Sequence, residues 1–251
     1  MSIAVTALKE KIRRKELYIV SIIGVLILLV FGTGTGSLSI NGVAITDYKV
    51  LAPILVIVVN AVGCVLTLIM SLSTIPNEYE RHTSHLVWIR GISQSRYHGE
   101  LALANVFAGL ISEGILFIAM LVFIITQGKA DEAWRLIPAY LLVGINISIM
   151  ALLTSVLTVV LPKFAAGSIA ALVAFCGIFH GLLSTLKDML GGFGGQLIKY
   201  ILKVIPNLHN IQTQAGNVFG KANVDAHCIW VGLLIIYILV VCIMVAKKKE
   251  A

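Results

Sequence analysis

The stretch LIPAYLLVGINISIMALLTSVLTVVL, residues 136–161, decides the fold because its 26 residues include no Asp, Glu, Lys or Arg. A bilayer core about 30 Å thick requires roughly 20 apolar residues of a crossing helix. A strand of a transmembrane barrel would instead alternate apolar and polar residues over about ten positions. The stretch is too long and too uniformly apolar for such a strand, so it predicts a membrane-spanning helix.

Five further apolar runs resemble this stretch in length and composition. They lie at about 17–33, 50–75, 101–126, 164–186 and 227–246. Glu113 is the single acidic or basic residue in all six runs. The pattern predicts an all-α membrane protein that crosses the bilayer six times and forms one transmembrane domain over residues 1–251.

Composition supports this fold class and excludes others. Of the 251 residues, 59% are hydrophobic and 12% are charged, whereas soluble domains carry about 25% charged residues. The net charge of +7 comes from basic residues that flank apolar runs, which favours membrane lipids over nucleic acid as partners. The four cysteines are scattered without C-x-x-C spacing, so no metal site or disulfide framework is predicted.

The distribution of Lys and Arg predicts the orientation. With a cytoplasmic N-terminus, the inside segments carry 12 basic residues and the outside segments seven, in agreement with the positive-inside rule. Both ends are then cytoplasmic. The basic start MSIAVTALKEKIRRKELY, residues 1–18, is expected to lie in the inner interface. Its lipid-facing residues would be Ile3, Ala7, Leu8 and Ile12, and its Lys and Arg side chains would face the headgroups.

The long loop before the last run has helical periodicity of its own. In residues 194–211, GGQLIKYILKVIPNLHNI, apolar residues recur at Leu197, Ile198, Ile201, Leu202 and Ile205. LGGFGG at 190–195 and Pro206 bound this pattern. The spacing predicts an interfacial or re-entrant helix between them.

The segment NEYERHTSHLVWIRGISQSRYHGE, residues 77–100, is polar but has an apolar centre at 86–89. The predicted orientation places it in the cytoplasm, and it is longer than a simple connection requires. Exposed apolar clusters rimmed by charges mark partner contacts. We therefore expect a short helix that inserts into a groove of another protein, with Trp and Arg as anchors. The alternative is a solvated loop with an incidental apolar centre.

The same region, ERHTSHLVWIRGISQSRYHGELALANV at 80–106, resembles the segment between the second and third spans of ABC-2-type permeases, the membrane subunits of bacterial ATP-driven exporters. The family pattern is an acidic-basic pair, a small or Thr residue, a Leu-rich short helix and an I-S-R-x-x-Y phrase that leads into the third helix. The matching positions are Glu80-Arg81, Thr83-Ser84, Leu86 to Ile89, Ile92-Ser93 and Arg96-Tyr97. VIPNLHNI at 204–211 is similar to a proline-bearing phrase of the same family. Gly91 and Glu100 depart from it, since Pro and Lys are frequent there.

The resemblance implies a function. The segment would be a coupling helix seated on a separate ATPase, and two ATPase copies would join two permeases in a homo- or heterodimer. ATP and Mg would be bound by the ATPase, because this chain lacks G-x-x-x-x-G-K-[ST]. The chain would be a non-enzymatic exporter subunit of the bacterial inner membrane. Its expected substrate is an amphipathic or antimicrobial peptide, with lipid-linked glycans, drugs and ions left open. Partner contacts are expected from Glu80, Arg81, Thr83, Leu86, Val87, Trp88, Ile89, Arg90, Arg96 and Tyr97.

Polar residues inside the runs are the remaining candidates. A carboxyl group in a span is costly and normally faces a cavity or a partner, so Glu113 is expected either in the transport path, with His180 as a partner, or in a structural hydrogen bond. Asn60 and Asn146 are expected to form hydrogen bonds between helices. Alternatives are an ion-coupled secondary transporter, a membrane anchor or scaffold, and a hydrolase that uses Ser168 and His180.

Overall fold

Helices make up nearly all of the protein in the computed structural model, which describes residues 3–13, 16–32, 39–40, 43–44, 48–81, 87–89, 91–190, 192–220 and 223–247. Within these ranges the α-helices, in chain order, are α1 (Ile3–Arg13), α2 (Glu16–Gly32), α3 (Tyr48–Leu72), α4 (Thr74–Glu80), α5 (Gln94–Thr126), α6 (Leu136–Val160), α7 (Lys163–Ile178), α8 (His180–Leu190), α9 (Gly192–Val204), α10 (Leu208–Gly220) and α11 (Ala226–Val245). A 3-10 helix at Ala130–Arg135 precedes α6, and the short strands β1 (Ser39–Ile40) and β2 (Val43–Ala44) pair antiparallel.

The described helices include four segments that are long and apolar enough to cross a membrane. They are α3 with α4 (Lys49–Glu80), α5 (Gln94–Thr126), the 3-10 helix with α6 (Ala130–Val160), and α11 (Ala226–Val245). The all-helical, multi-pass membrane architecture predicted from the apolar runs is therefore confirmed.

The run at 17–33 forms the 17-residue helix α2, whereas another predicted span looks different in the structure. The run at 164–186 was predicted as one helix but is bent by 78° between α7 and α8. Close packing accounts for the bend: a Cβ on Gly177 would lie 2.9 Å from the Pro206 carbonyl oxygen, and one on Gly181 would lie 2.6 Å from His209 Nε2. The chain leading into α10 therefore packs closely against the bend, where Gly177 and Gly181 leave room for it.

The centre of the bundle is formed by α3, α5 and α6, which pack against one another. Helix α2 packs on α5, α7 packs on α3 and α6, and α11 packs on α5 and α6. Most of the buried side chains between them are aliphatic or aromatic, with Leu55, Met120, Phe123 and Ile147 fully buried. This arrangement surrounds several polar side chains on α3, α5 and α6.

Sequence analysis did not predict α10. It fits against α3, α6 and α7, and its buried side includes Leu208, Ile211, Ala215 and Phe219. These positions recur every three or four residues, which is the helical pattern. The pattern was present in the sequence, but Pro206 and the polar residues between these positions interrupt the apolar character.

A helix does form where the loop periodicity predicted one. Helix α9 begins inside LGGFGG at Gly192 and ends before Pro206. It pairs with α8, and the described side chains of α8 include no buried residue. The apolar side of this hairpin, including Leu197 and Ile201, is exposed on the isolated chain.

The predicted orientation of the N-terminal helix is wrong in part. Ile3 and Ala7 of α1 pack against protein rather than facing lipid. Lys11, expected among headgroups, is buried, and its Nζ donates to the Met70 carbonyl oxygen at 2.5 Å. Ile12 stays 46% exposed. An amphipathic helix can place its apolar side on lipid or on protein, and here the end of the bundle offers an apolar surface and a carbonyl acceptor.

Candidate functional site

One end of the bundle gathers several helix termini around an apolar cluster. Ile75 of α4, Tyr97 and Leu101 of α5, and Val159 of α6 form this cluster, which we call the end cluster. Partly buried residues from both ends of the described chain pack against it, namely Ile3 and Ala246, together with Ala7, Tyr79 and Val87. Helix α1 and the C-terminal end of α11 therefore lie on the same side of the bundle.

The predicted coupling segment rests on this end cluster. Residues 87–89 form a single helical turn, and Val87 packs against the cluster. The Trp88 ring meets the Tyr79 ring edge-on, with centroids 6.0 Å apart. Ile89 is 82% exposed. Gly91 has φ +75, a value that favours glycine, and turns the chain toward α5.

Hydrogen bonds connect α4 to α5 directly beneath this turn. Tyr79 Oη and His98 Nε2 lie 2.7 Å apart, and the Tyr97 hydroxyl donates to Glu78 Oε2 at 2.9 Å. Tyr97 is only 1% exposed, so it supports the turn from inside the cluster. The turn is thereby attached both to α4, which continues α3, and to α5.

The charged residues predicted for partner contact lie around the same end. Arg81 Nη1 pairs with Glu10 Oε1 of α1 at 3.0 Å, and Arg96 Nε pairs with Glu100 Oε1 at 3.2 Å. Glu80 is exposed at the end of α4. The predicted contact residues Thr83, Leu86 and Arg90 lie outside the described residues.

A second group of polar residues lies inside the bundle. Asn60, Cys64, Thr67 and Ser71 of α3 are all fully buried and follow one another at helical spacing. The predicted hydrogen bond between helices is confirmed, since Asn146 Nδ2 donates to Asn60 Oδ1 at 3.2 Å. Asn146 Nδ2 also donates to the Leu208 carbonyl oxygen at 3.0 Å.

Helix α10 completes this group. Asn60 Nδ2 donates to Gln212 Oε1 at 2.7 Å; Asn60, Asn146 and Gln212 are called the amide network below. Gln212 Nε2 also lies 3.1 Å from His209 Nδ1 and 3.4 Å from the carbonyl oxygen of Ile178, the last residue of α7. Carbonyl groups at a helix end need donors from outside the helix. The amide network thus joins α3, α6 and α10 to the bend after α7.

Glu113 of α5 has a different environment. It is fully buried, and a Cβ on Gly63 would lie 1.8 Å from its Oε2. Neither carboxyl oxygen has a hydrogen-bond partner among the described residues. The Tyr140 hydroxyl of α6 donates to the Leu110 carbonyl oxygen of α5 at 3.0 Å.

The structure does not pair Glu113 with His180. His180 begins α8, beyond the bend, where His209 packs against the next residue, Gly181. A cavity of about 360 Å³ lies beside this bend, lined by residues of α3, α7, α8 and α10 that include His209 and Gln212. Ser168 Oγ donates to the Phe164 carbonyl oxygen of its own helix at 3.1 Å. The described hydrogen bonds therefore include no Ser168–His180 pair.

Comparison with known proteins gives no match: no family model, no curated protein and no solved structure matches this chain.

Proposed function

We propose that this chain is the permease subunit of an ATP-driven exporter of the ABC-2 type, which couples ATP hydrolysis by a separate ATPase to substrate export. The supporting observation is Ile89, which is 82% exposed on a turn attached to the membrane helices. A large apolar side chain that stays exposed on an anchored turn is suited to insertion into a partner's pocket. The sequence resemblance of residues 80–106 to ABC-2-type permeases points to the same partner class.

The contacts beneath the turn provide a route for mechanical coupling. A displacement of residues 87–89 would act on α4 through the Trp88–Tyr79 contact and on α5 through the Tyr79–His98 hydrogen bond. Because α4 continues α3, the displacement would shift α3 relative to α5. These two helices hold several of the buried polar residues of the bundle, including Asn60 and Glu113. Two ATPases would bind ATP and Mg and drive two such permeases.

The proposed topology has six crossings, made by α2, α3, α5, α6, α7 with α8, and α11. Ile3 and Ala246 contact the same end cluster, which is compatible with an even number of crossings. Helix α2 has 17 residues and extends about 26 Å, close to the roughly 30 Å of a bilayer core. The distribution of Lys and Arg supports the proposal that both ends are cytoplasmic in a bacterial inner-membrane protein.

The proposed transport path passes the cavity beside the bend. Its walls are almost entirely apolar, and the residues that line it include His209 and Gln212. Such a lining suits an amphipathic substrate, and a peptide is the class we propose. His180 lies at this bend, whereas Glu113 faces the α3–α5 interface. We propose that the transport path also passes His180 and Glu113.

The test is co-purification of the chain with an ATPase that contains a Walker A sequence. Ile89→Asp should lower recovery of the ATPase at least tenfold while the variant stays in the membrane. Ile12→Asp is the matched control, because Ile12 is also an exposed isoleucine at this end of the bundle, and it should retain the ATPase. Full recovery with Ile89→Asp would contradict the proposal. Compounds that stimulate ATP turnover by the pair would then identify the substrate.

A second candidate function is ion-coupled secondary transport, favoured by one observation. Glu113 is buried in the bundle without a hydrogen-bond partner among the described residues, and intramembrane carboxylates often serve proton or ion coupling. The purified chain alone in proteoliposomes, with a pH gradient and a panel of labelled amphipathic peptides, distinguishes the two candidates. Flux without ATP that Glu113→Gln abolishes would favour the secondary transporter. Flux only when the ATPase and ATP are present would favour the exporter.

A further inference from the structure

An open groove of about 640 Å³ lies between α5, α6 and α11. Its walls are apolar and include Leu103, Val106, Leu152, Ile236, Val240 and Met244. Ser148 also lines it, but its hydroxyl donates to the Gly144 carbonyl oxygen of its own helix at 2.7 Å. The volume falls within the roughly 300–1,000 Å³ typical of ligand sites.

The charged groups of the groove lie together at one end. Arg96 and Glu100, with Ser93 and Ser95, line the groove near the start of α5. Arg96 is 72% exposed and uses Nε for its ion pair with Glu100. Among the described residues its guanidinium has no other hydrogen-bond partner. Its terminal nitrogens can therefore bind an anion bidentately.

The length of the groove matches one leaflet of a bilayer. Ten residues of α5 separate Arg96 from Val106, a rise of about 15 Å. The hydrocarbon core of a bilayer is about 30 Å thick, so one leaflet contributes about half of that. A molecule in the groove would thus have a charged group beside Arg96 and an apolar chain that reaches toward the middle of the membrane.

We propose that this groove binds one phospholipid of the leaflet in which α5 begins. An acyl chain lies along the apolar walls, and the headgroup phosphate binds the terminal nitrogens of Arg96. Charge complementarity favours this occupant over an uncharged lipid or an apolar surface of a second copy, since neither would supply an anion for Arg96. The lipid would join α11 to the first turns of α5. This site does not depend on the exporter proposal.

The test measures lipid binding to the delipidated, purified chain by native mass spectrometry. Phosphatidylethanolamine and a diacylglycerol with the same acyl chains serve as probes, since they differ in the phosphate and its headgroup. We expect one phosphatidylethanolamine per chain, bound about tenfold more tightly than diacylglycerol, because only the phosphate forms charge-assisted hydrogen bonds with Arg96. Arg96→Gln should remove this preference.

Two variants test the location. Leu103→Trp fills the groove and should reduce phospholipid binding at least tenfold. Ile118→Trp is the matched control on the same helix, because Ile118 is 62% exposed and lies outside the groove lining. Met244→Trp, from the opposite wall and 57% exposed, repeats the test if Leu103→Trp unfolds.

Three results would overturn the proposal. One is equal affinity of the wild type for phosphatidylethanolamine and diacylglycerol. Another is undiminished phospholipid binding by both groove-filling variants. The third is a lipid-free dimer in the same spectra that Leu103→Trp converts to monomers, which would assign the groove to a second copy of the chain.

Discussion

The amide network and Glu113 lie close together in the bundle but differ in how their polar atoms are satisfied. Asn60, Asn146 and Gln212 join three helices through hydrogen bonds of 2.7 and 3.2 Å. Among the side-chain oxygens and nitrogens of this network, Asn146 Oδ1 alone lacks a partner among the described residues. Glu113 is equally buried, yet both of its oxygens lack such a partner. One turn of α3 separates Asn60 from Gly63, on which Glu113 rests.

The difference separates a structural role from a functional one. A buried polar group is stabilising when its hydrogen bonds are made and costly when they are not. The amide network therefore has a structural role, because its hydrogen bonds hold α10 and the bend in place. Glu113 contributes no hydrogen bond to the described fold that would offset its burial. An intramembrane carboxyl of this kind is a candidate functional group by default.

The largest effect is expected when the amide network is broken. Asn146→Leu removes the hydrogen bonds to Asn60 and to the Leu208 carbonyl oxygen and leaves both acceptors buried, so the free energy of unfolding should fall by about 2 kcal/mol. Thr154→Val is the control on the same helix, because its hydroxyl donates to the Met150 carbonyl oxygen within α6; its loss should stay below about 1 kcal/mol. Steric-trapping measurements in bicelles report both, and equal losses would contradict the structural role.

A second change tests the contact between Glu113 and α3. Gly63→Ala places a methyl group where Glu113 Oε2 would be 1.8 Å away and Glu113 Cδ 2.8 Å away, and such overpacking costs about 1–3 kcal/mol. In the double variant with Glu113→Ala, the space vacated by the carboxyl should relieve at least about 1 kcal/mol of that loss. Strictly additive losses in the same unfolding assay would show that the two residues are not in contact.

The helices of the bundle could be predicted from the sequence, but only some of the contacts between them could. Apolar runs predicted the helices of the bundle because membrane insertion depends on local composition, and Asn60 and Asn146 were predicted to bond because amides inside spans need partners. Gln212 was not predicted, since its contact depends on α10 entering the bundle beside Asn60, which lies 152 residues earlier in the chain. The bend after α7 was missed for the same reason: close packing of Pro206 and His209 against glycines is a tertiary contact.

Around the end cluster, too, some features could be predicted from the sequence and others could not. The segment with Trp88 and Ile89 was predicted to offer an apolar contact, and Ile89 does so. The supporting pairs Tyr79–His98 and Glu78–Tyr97 each join residues 19 positions apart, a separation with no helical or strand periodicity to indicate it. Lys11 was misassigned because its charge predicts exposure, whereas the Met70 carbonyl oxygen gives it a buried partner.

A smaller effect on stability is expected when the Glu113 carboxyl is replaced by a neutral group of the same shape. Glu113→Gln should change the free energy of unfolding by less than about 1 kcal/mol, because few interactions in the described fold depend on the carboxyl. If Glu113 serves transport, the transport rate should fall clearly although the free energy of unfolding hardly changes. Glu113→Leu, which removes the polar group, should be at least as stable as the wild type. A loss as large as that of Asn146→Leu would instead assign Glu113 a structural bond.

Asp225 extends the comparison to a carboxylate in water and gives the smallest expected effect. It caps α11, and its Oδ1 accepts the His227 backbone N–H at 2.9 Å. That hydrogen bond, followed by the one from the Cys228 thiol, lowers the pKa of Asp225 below its ordinary value of 3.8. The ionised form is therefore favoured by folding: its stabilising contribution is present above the unfolded pKa and is lost as pH falls through the lower, folded value. Asp225→Asn should lower the unfolding temperature slightly at pH 7, and the difference from the wild type should shrink below about pH 4. A difference that grows on acidification, measured by thermal unfolding in detergent, would contradict the cap geometry.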